Sequence, residues 1–344
     1  MASIKEVAEA AGVSTASVSR VLSNHPNVRP ELRERVMEAV NKLNYRPNLL
    51  ARSLRSQQTS TIGLIVSDIR NPFFTSVSRA VEDTAYEQGF RVVLCNTDEN
   101  PEKEAMYLNL MQDENVAGVL LSPTWQTAAR FNASNYEFPL VIIDRSIKNG
   151  NVDLVLLDNI AAGYQLTNHL ITNGYRRIAA ILGTESSTGI ERRQGYEEAM
   201  QAHGLVPAQE LVKFVDPKIE AGYATSLKML KLNQPPDAIL TSNSLLGAGA
   251  LMAIRECNLA IPEDVALVSF DETTWASLVQ PALTVIAQPT DEIGKTATEL
   301  LFQRIADPNR PARKVILQGN LIVRQSSAAR HSKKSSSSKT RLTG

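Results

Sequence analysis

The chain has 344 residues, which exceeds one ordinary domain and predicts two or three compact units. It is 43% hydrophobic and 21% charged, and no apolar run approaches the roughly 18 residues needed to cross a bilayer. The N-terminal segment MASIKEVAEAAG lacks the apolar core of a signal peptide and is typical of an amphipathic helix. We therefore expect a cytoplasmic protein that does not contact the membrane, in which Cys95 and Cys257 are buried free thiols.

Charge is unevenly distributed along the chain, although the net charge is zero. Residues 1–60 hold nine Lys or Arg against five Asp or Glu, and residues 61–328 hold 22 against 31. The tail from Ala329 holds five basic residues and no acidic ones. Because a basic head on an acidic body contacts phosphates with one end only, this distribution is compatible with a nucleic-acid partner.

Three short helices are predicted at the N-terminus. The apolar spacing predicts a helix over Ile4–Ala11, and Ser14 is a suitable N-cap for a second helix over Thr15–Leu22. Pro30 suits the first turn of a third helix, which ends before Pro47 because the residue preceding a proline is pushed out of the α region. Two short helices joined by a tight turn are typical of a helix-turn-helix, whose second helix enters the major groove.

The residues expected to contact DNA bases lie on the second helix. Thr15, Ala16, Ser17 and Arg20 are predicted to lie on or near its exposed face. An arginine there can donate two hydrogen bonds to a guanine edge, which is worth roughly 1–3 kcal/mol of discrimination. The alternative is an ordinary three-helix cap with polar surface residues. The segment Asn48–Arg55 that follows can form about two helical turns and is too short to be stable alone.

From Thr61 onward, β-rich runs alternate with helical segments. The strand candidates are IGLIV, RVVLCN, AGVLLSP, PLVIID, DLVLLDN, RIAAIL, DAILTSN, VALVSFD and LTVIAQ. Continuous apolar strands alternating with helices predict parallel sheets covered on both faces. This many strands predicts an α/β body of two doubly wound parallel-sheet lobes over residues 61–326. Residues 327–344 are Ser- and Lys-rich, and we expect a disordered basic tail there.

Polar and aromatic side chains follow the predicted strand ends, where ligands bind in folds of this kind. Directed hydrogen bonds from amide, carboxylate and guanidinium groups, together with an aromatic face, suit a sugar. A single polar residue at a strand end is more often a helix cap, so the hypothesis depends on the whole set. Its members are Asn71, Phe73, Phe74, Asp144, Arg145, Arg192, Asn243, Asp271 and Gln288.

The run from IKEVAEAAGVSTASVSRVLSN through YRPNLLARSLRSQQTSTIGLI resembles the head and hinge of the lactose-repressor family, and a looser similarity continues to about residue 325. The resemblance implies that Ser14–Leu22 is the recognition helix. It also implies that Asn48–Arg55 is a hinge helix that folds on DNA as a symmetric pair, with Leu54 entering a base step of the minor groove. The implied DNA-binding residues are Thr15, Ala16, Ser17, Arg20, Asn27, Asn48, Ala51 and Leu54.

The body also resembles the periplasmic ribose-type sugar-binding proteins, whose fold the lactose-repressor family shares. Carried over by position, the residues that fall on the sugar contacts of that group are Asn71, Phe73 or Phe74, Asp144, Arg145, Arg192, Asn243, Asp271 and Gln288. Two positions depart from the pattern: Ser244 stands where an acidic residue is usual, and Pro217 where an aromatic residue is frequent. The resemblance therefore implies a small sugar, and a sugar phosphate stays open.

Taken together, the sequence predicts a DNA-binding transcriptional regulator, a repressor by resemblance, whose operator affinity is controlled by a small sugar or sugar phosphate. The predicted domains are a helix-turn-helix domain over residues 1–47, a hinge over 48–60, an effector-binding and dimerisation domain over 61–326 and the tail over 327–344. The family implies a homodimer that reads a pseudo-palindromic operator. A sugar-transport component and a sugar-modifying enzyme are the alternatives.

No catalytic, cofactor or metal motif supports an enzyme. The run Gly294-Lys295-Thr296 imitates the end of a phosphate-binding loop, but Pro289 stands where that motif requires glycine. The four histidines are not paired at metal-binding spacing. Asp144 and Asp271 could form an acid–base pair, but the neighbouring Arg145 favours an ionised, hydrogen-bonding Asp144. We therefore expect no cofactor, no metal and no catalysis.

Overall fold

The computed structural model describes residues 2–22, 28–45, 59–147, 151–184 and 186–329. The chain divides into two compact units, Met1–Thr59 and Ser60–Gly344, called here the head and the body. Within the described ranges, no helix combines the length and the apolar character needed to cross a membrane.

The head packs three helices around a small apolar core. They are α1 (Ile4–Ala10), α2 (Thr15–Leu22) and α3 (Pro30–Lys42). The core is formed by the side chains of Val7, Ala8, Ala11, Val18, Val21, Val36 and Ala39. Gly12 makes the turn between α1 and α2 with a φ of +63°, a conformation that favours glycine. Arg35 of α3 ties down this turn, because its Nη2 donates to the carbonyl oxygen of Ala11 at 2.9 Å.

The body contains two sheets. Its described strands are β1 (Thr61–Val66), β2 (Arg91–Asn96), β3 (Gly118–Leu121), β4 (Leu140–Ile143), β5 (Asp153–Leu157), β6 (Ile178–Gly183), β7 (Val212–Val215), β8 (Ala238–Thr241), β9 (Ala266–Phe270), β10 (Thr284–Ala287), β11 (Lys314–Leu317) and β12 (Asn320–Ile322). Its described helices are α4 (Pro72–Glu87), α5 (Pro101–Asp113), α6 (Trp125–Ala128), α7 (Asn159–Thr172), α8 (Ser187–Ala202), α9 (Ile219–Leu230), α10 (Ser244–Glu256), α11 (Thr274–Leu278) and α12 (Thr290–Ala306).

Each sheet has six strands and defines one lobe. The first lobe has the order β11-β5-β4-β3-β1-β2, and the second has the order β12-β10-β9-β8-β6-β7. All neighbouring strands are parallel except β12, which pairs antiparallel with β10. Apolar clusters lie on both faces of each sheet, as expected when helices cover a parallel sheet on both sides. The two strand orders are equivalent, so corresponding strand ends occupy corresponding places in the two lobes.

The chain passes between the lobes three times. It leaves the first lobe after β5, returns after β10, and leaves again between β11 and β12. Two of these crossings are joined by a hydrogen bond, since Gln318 Nε2 donates to Asp158 Oδ2 at 3.1 Å. Gln288 lies on the remaining crossing, next to β10. The C-terminal end of the described chain belongs to the second lobe, where the side chains of Ser326 and Ser327 are buried.

The predicted fold class is confirmed for the head and for the two lobes. All nine strand candidates form strands, but the structure adds β7, β11 and β12, which the sequence pattern missed. The predicted hinge segment Asn48–Arg55 and most of the predicted tail lie outside the described residues. The prediction of two buried thiols was wrong for Cys257, which is only half-buried, while Cys95 is buried.

Candidate functional sites

The exposed side of α2 is the candidate DNA-contacting surface of the head. Ser14 begins this helix, and its Oγ accepts a hydrogen bond from the backbone N–H of Ser17 at 3.2 Å. Val18 and Val21 point into the head core. The structure leaves Ala16 and Arg20 exposed, with Thr15 and Ser17 half-buried beside them. These four predicted contacts therefore share a helix with one packed side and one exposed side, whereas Asn27, Asn48, Ala51 and Leu54 lie outside the described residues.

The body has a cavity of about 650 Å³, counting its opening, that residues of both lobes line. All nine residues that the sequence predicted for the ligand site line it, and so does Pro217. The first lobe contributes Asn71, Phe73, Phe74, Asp144 and Arg145. Arg192, Asn243 and Asp271 come from the second lobe, and Gln288 comes from the crossing between them. The structure thus brings together residues that are up to 217 positions apart in the chain.

In the first lobe, Arg145 is held in a polar cluster. Its Nη1 and Nη2 donate to the two carboxylate oxygens of Glu99 at 2.9 and 2.5 Å, and Nη1 also donates to the carbonyl of Pro123 at 2.9 Å. Its Nε has no hydrogen-bond partner among the described residues and lies 3.6 Å from Asp144 Oδ2. Burial by itself would lower the pKa of Arg145, but Glu99 and Asp144 raise it overall. This guanidinium group therefore stays charged and fixed in place.

In the second lobe, Arg192 is fixed from three sides. Its Nε donates to Asn159 Oδ1 at 2.8 Å, and its Nη1 donates to the carbonyl oxygen of Ser242. The guanidinium carbon lies 4.1 Å from the centre of the Phe270 ring, within the range of a cation–π contact. Asn159 is the first residue of α7, directly after a crossing between the lobes. A ligand that contacts Arg192 therefore contacts a group anchored next to the crossing.

Each lobe contributes one aspartate to the cavity wall: Asp271 is buried, and the side chain of Asp144 is 10% exposed. Ser244 N and Gln288 Nε2 donate to the carboxylate of Asp271 at 3.2 and 2.6 Å. Asp144 has weaker contacts, with Ser122 Oγ at 3.4 Å from its Oδ2. Burial raises the pKa of both aspartates, and Arg192 offsets this only in part. Arg145 lowers the pKa of Asp144, which is the direction expected from a neighbouring guanidinium group, although burial has the larger effect.

Several predicted site residues also have a structural role. Asn71 is the N-cap of α4 and Asn243 is the N-cap of α10, and each side-chain oxygen accepts a backbone N–H of the first turn. Phe73 and Phe74 pack edge to face with ring centres 5.0 Å apart and belong to the core beneath the first sheet. These residues therefore cap helices or pack in the core, as polar and aromatic residues at strand ends often do, and they also line the cavity.

Sequence reasoning missed several residues that line the cavity, chiefly Asp68, Glu99, Trp125, Ser186 and Thr188. Each follows the C-terminal end of a strand by only a few residues, so the rule that selected Asp144 would have selected them too. Glu99 is the most consequential omission because it fixes Arg145. The run TDEN after RVVLCN was the available signal.

The architecture defines a class of protein: a helix-turn-helix head followed by a two-lobed body with a polar cavity between its sheets. Two family models match the chain. "Bacterial regulatory proteins, lacI family" matches residues 3–48, and "Periplasmic binding proteins and sugar binding domain of LacI family" matches residues 59–325. The chain therefore belongs to the LacI family of bacterial transcriptional regulators, as the sequence predicted.

Individual relatives agree with this assignment. The chain is 35% identical over 331 residues to the HTH-type transcriptional repressor PurR of Histophilus somni (strain 2336), covering 95% of this chain and 99% of that protein. It is 30% identical to the transcriptional regulator CelR in complex with cellobiose, with a TM-score of 0.71 and coverage of 95% and 100%. A LacI family regulator from Enterococcus faecium with bound ribose is 27% identical, with a TM-score of 0.69 and coverage of 78% and 99%.

Proposed function

We propose that this protein is a transcriptional repressor whose affinity for operator DNA is controlled by a small sugar or sugar phosphate bound in the cavity between its lobes. The observation that carries the proposal is the convergence of Asp144, Arg145, Arg192 and Asp271 from both lobes on one cavity next to the crossings. A ligand that contacts both lobes favours one lobe arrangement over another. Ligand binding is therefore coupled to any property that depends on the arrangement of the lobes, and we propose that affinity for operator DNA is such a property.

At the DNA end, we propose that α2 is the recognition helix. Ala16 and Arg20 are exposed on the side away from the head core, where they can reach base edges in the major groove. Thr15 and Ser17 lie beside them. Asn27, Asn48, Ala51 and Leu54 complete the proposed contact set by family resemblance, with the hinge as the segment that orders on DNA.

Two copies of the chain are proposed to bind one pseudo-palindromic operator, because paired heads read two half-sites. The first lobe offers a surface for pairing. Val93 and Leu94 on the edge strand β2 are 40% and 45% exposed, and Met106 and Leu110 on α5 are 52% and 41% exposed. Exposed apolar side chains on an edge strand and on the helix that follows it in the chain favour a protein partner, and we assign a second copy of this chain to this surface.

Binding rather than catalysis is proposed for the cavity. The relatives with a printed function are regulators, and the Arg145 and Arg192 guanidinium groups are held by several protein acceptors each. A cytoplasmic location follows from the proposed DNA partner. The alternative of a transport component loses support because the head belongs to the regulatory family.

The test is a selection of DNA from a random library by the full-length protein, followed by fluorescence anisotropy on the selected sequence with and without candidate sugars. We expect a pseudo-palindromic site whose affinity changes at least about tenfold with one ligand, equivalent to about 1.4 kcal/mol of coupling. A protein that prefers no sequence over bulk DNA, with every ligand tried, would refute the proposal.

A further inference from the structure

The helix α5 buries a glutamate, Glu104, that is not among the described residues lining the cavity between the lobes. It shares the packed face of α5 with Leu108 and Met111, which belong to an apolar core of the first lobe. Burying a carboxylate costs free energy that burying an apolar side chain does not. Packing alone therefore does not account for a glutamate at this position.

The carboxylate of Glu104 holds the segment that follows β3. Its Oε2 accepts the backbone N–H of Thr124 and its Oε1 accepts the hydroxyl of Thr127, both at 2.5 Å. The backbone N–H of the next residue, Trp125, donates to Glu99 Oε2 at 3.2 Å. Two carboxylates from another part of the chain thus hold consecutive backbone N–H groups of this segment.

Trp125 is the residue of this segment that lines the cavity. The other aromatic residues that line it within the described ranges are Phe73 and Phe74, whose rings are buried in the core of the first lobe, whereas Trp125 is half-buried. Two residues before Trp125, the carbonyl of Pro123 accepts a hydrogen bond from Arg145 at 2.9 Å. The backbone on the cavity side of this segment is therefore also fixed.

A ring that is held in place before the ligand arrives loses less side-chain freedom on binding than a mobile one, so it contributes more to affinity. We propose that Glu104 is a positioning residue of the ligand cavity, which holds Trp125 so that its ring contacts the bound sugar. Glu104 acts from behind the cavity wall and does not contact the ligand itself. This inference rests on the proposed function, in which the cavity is the effector site.

Tryptophan fluorescence tests the positioning without any ligand. The chain has two tryptophans, so Trp275→Phe leaves Trp125 as the only one. In this background we expect Glu104→Gln to shift the emission of Trp125 and to raise its quenching by acrylamide at least about twofold, because the amide NH2 faces a donor that the carboxylate accepted. The matched control is Glu102→Gln, at an exposed position of the same helix, which should change neither signal. A folded Glu104→Gln variant with unchanged emission and quenching overturns the inference.

Ligand affinity tests whether the cavity uses this positioning. Isothermal titration calorimetry of the full-length protein with D-ribose, D-glucose and cellobiose identifies a sugar that binds. For that sugar we expect Glu104→Gln to raise the Kd at least about fivefold and Trp125→Ala to raise it by at least as much. The double variant should bind no more weakly than Trp125→Ala, because both changes act through the same contact. A purely structural role would lower the thermal midpoint and leave the Kd of the folded variant unchanged, and that result, or additive losses, contradicts the inference.

A change at the other end of the hydrogen bond keeps the test decisive if Glu104→Gln does not fold. Thr127→Val removes the hydroxyl that donates to Glu104, and Thr127→Ser retains it. We expect the valine variant to change the Trp125 emission and to raise the sugar Kd, and the serine variant to behave as the unsubstituted protein does. Equal behaviour of the two variants overturns the inference.

This inference and the proposed function fail in different ways. If no sugar changes operator affinity, the proposed function is wrong, and the fluorescence of Trp125 still decides the role of Glu104. If a sugar controls operator affinity while Glu104→Gln alters neither the fluorescence nor the sugar Kd, the role of Glu104 is wrong and the proposed function stands. A failure of all three sugars to bind counts against the proposed function, and the ligand-free fluorescence then decides the inference.

Discussion

Asp144 and Asp271 occupy the same position in the two lobes. Each directly follows the third strand of its sheet order, β4 or β9, and their φ angles are +66° and +72°. Residues other than glycine adopt this backbone conformation at some energetic cost, although aspartate tolerates it better than most. Asp271 is also buried, and the side chain of Asp144 is only 10% exposed. Strain and burial at equivalent positions of one cavity favour a role in binding over a role in folding.

These aspartates predict how ligand affinity depends on pH. Burial raises the pKa of both, and a ligand hydroxyl that donates to either one favours the ionised form. Binding therefore releases protons, and the affinity decreases as the pH falls through the raised pKa values. The other charged groups that face Asp144 are Arg145, Arg192, Glu99 and Asp271.

We expect the Kd for a bound sugar to be severalfold weaker at about pH 5 than at about pH 7.5. Calorimetry at both values measures this, with circular dichroism at each pH as the control for acid unfolding. An equal Kd at both values would show that neither carboxylate accepts a hydrogen bond from the ligand.

For DNA binding, the prediction at the residue scale is that Arg20 contacts a base. If it reads a guanine, Arg20→Ala should weaken operator binding by about 1–3 kcal/mol and relax selectivity at one base pair in each half-site. Anisotropy titrations on the selected operator and on single-base variants measure both effects. The control is Lys42→Ala, which removes an equal charge from an exposed position of α3. Equal losses on operator and random DNA would identify Arg20 as a phosphate contact only.

At the scale of elements, α12 shows the structural role of the run that the sequence analysis rejected as a phosphate-binding loop. Gly294-Lys295-Thr296 lies inside this helix, where Gly294 faces α4. A Cβ atom on Gly294 would lie 2.6 Å from the Cβ of Ala80 and 2.8 Å from the carbonyl oxygen of Val77. The glycine therefore permits the close approach of two helices and does not bind phosphate.

Gly294→Val should consequently destabilise the body. The added atoms meet backbone that cannot rotate away, so we expect a loss of about 1–3 kcal/mol in the free energy of unfolding. Urea unfolding followed by circular dichroism measures the change. Lys295→Val, at the neighbouring exposed position on the same helix, serves as the comparison. A Gly294→Val variant as stable as the unsubstituted protein would contradict the close approach of the two helices.

Element patterns also show what the sequence could and could not predict. Strands buried on both faces, such as β1 and β9, carry continuous apolar runs and were found. The missed strands lie at sheet edges: β7 is interrupted by exposed Lys213, β11 begins with exposed Lys314, and β12 has only three residues, so their apolar runs are short and only partly buried. The cavity was predictable where polar residues follow strongly apolar strands. The Glu99–Arg145 pair joins residues 46 positions apart, and its geometry depends on the sheet order, which composition does not encode.

At the scale of the whole molecule, pairing of two chains is the central expectation. Met106→Glu places a charge in the apolar surface of α5 and β2, and we expect it to shift the protein toward monomer and to weaken operator binding. Sedimentation velocity over a concentration series measures the first effect. Val206→Glu places the same charge on an 87% exposed residue of the second lobe and should leave the association unchanged. A Met106→Glu variant that stays fully dimeric would exclude this surface.

The third passage of the chain between the lobes has a consequence for synthesis on the ribosome. Strand β11 completes the first sheet and β12 completes the second, and Ser326 Oγ then donates to the carbonyl of Leu267 at 2.6 Å inside the second lobe. A nascent chain that has not yet reached these residues leaves β5 and β10 with open edges in both sheets. Neither lobe is therefore complete until β11 and β12 have been synthesised, and a chain truncated before Lys314 has two incomplete sheets instead of one intact lobe.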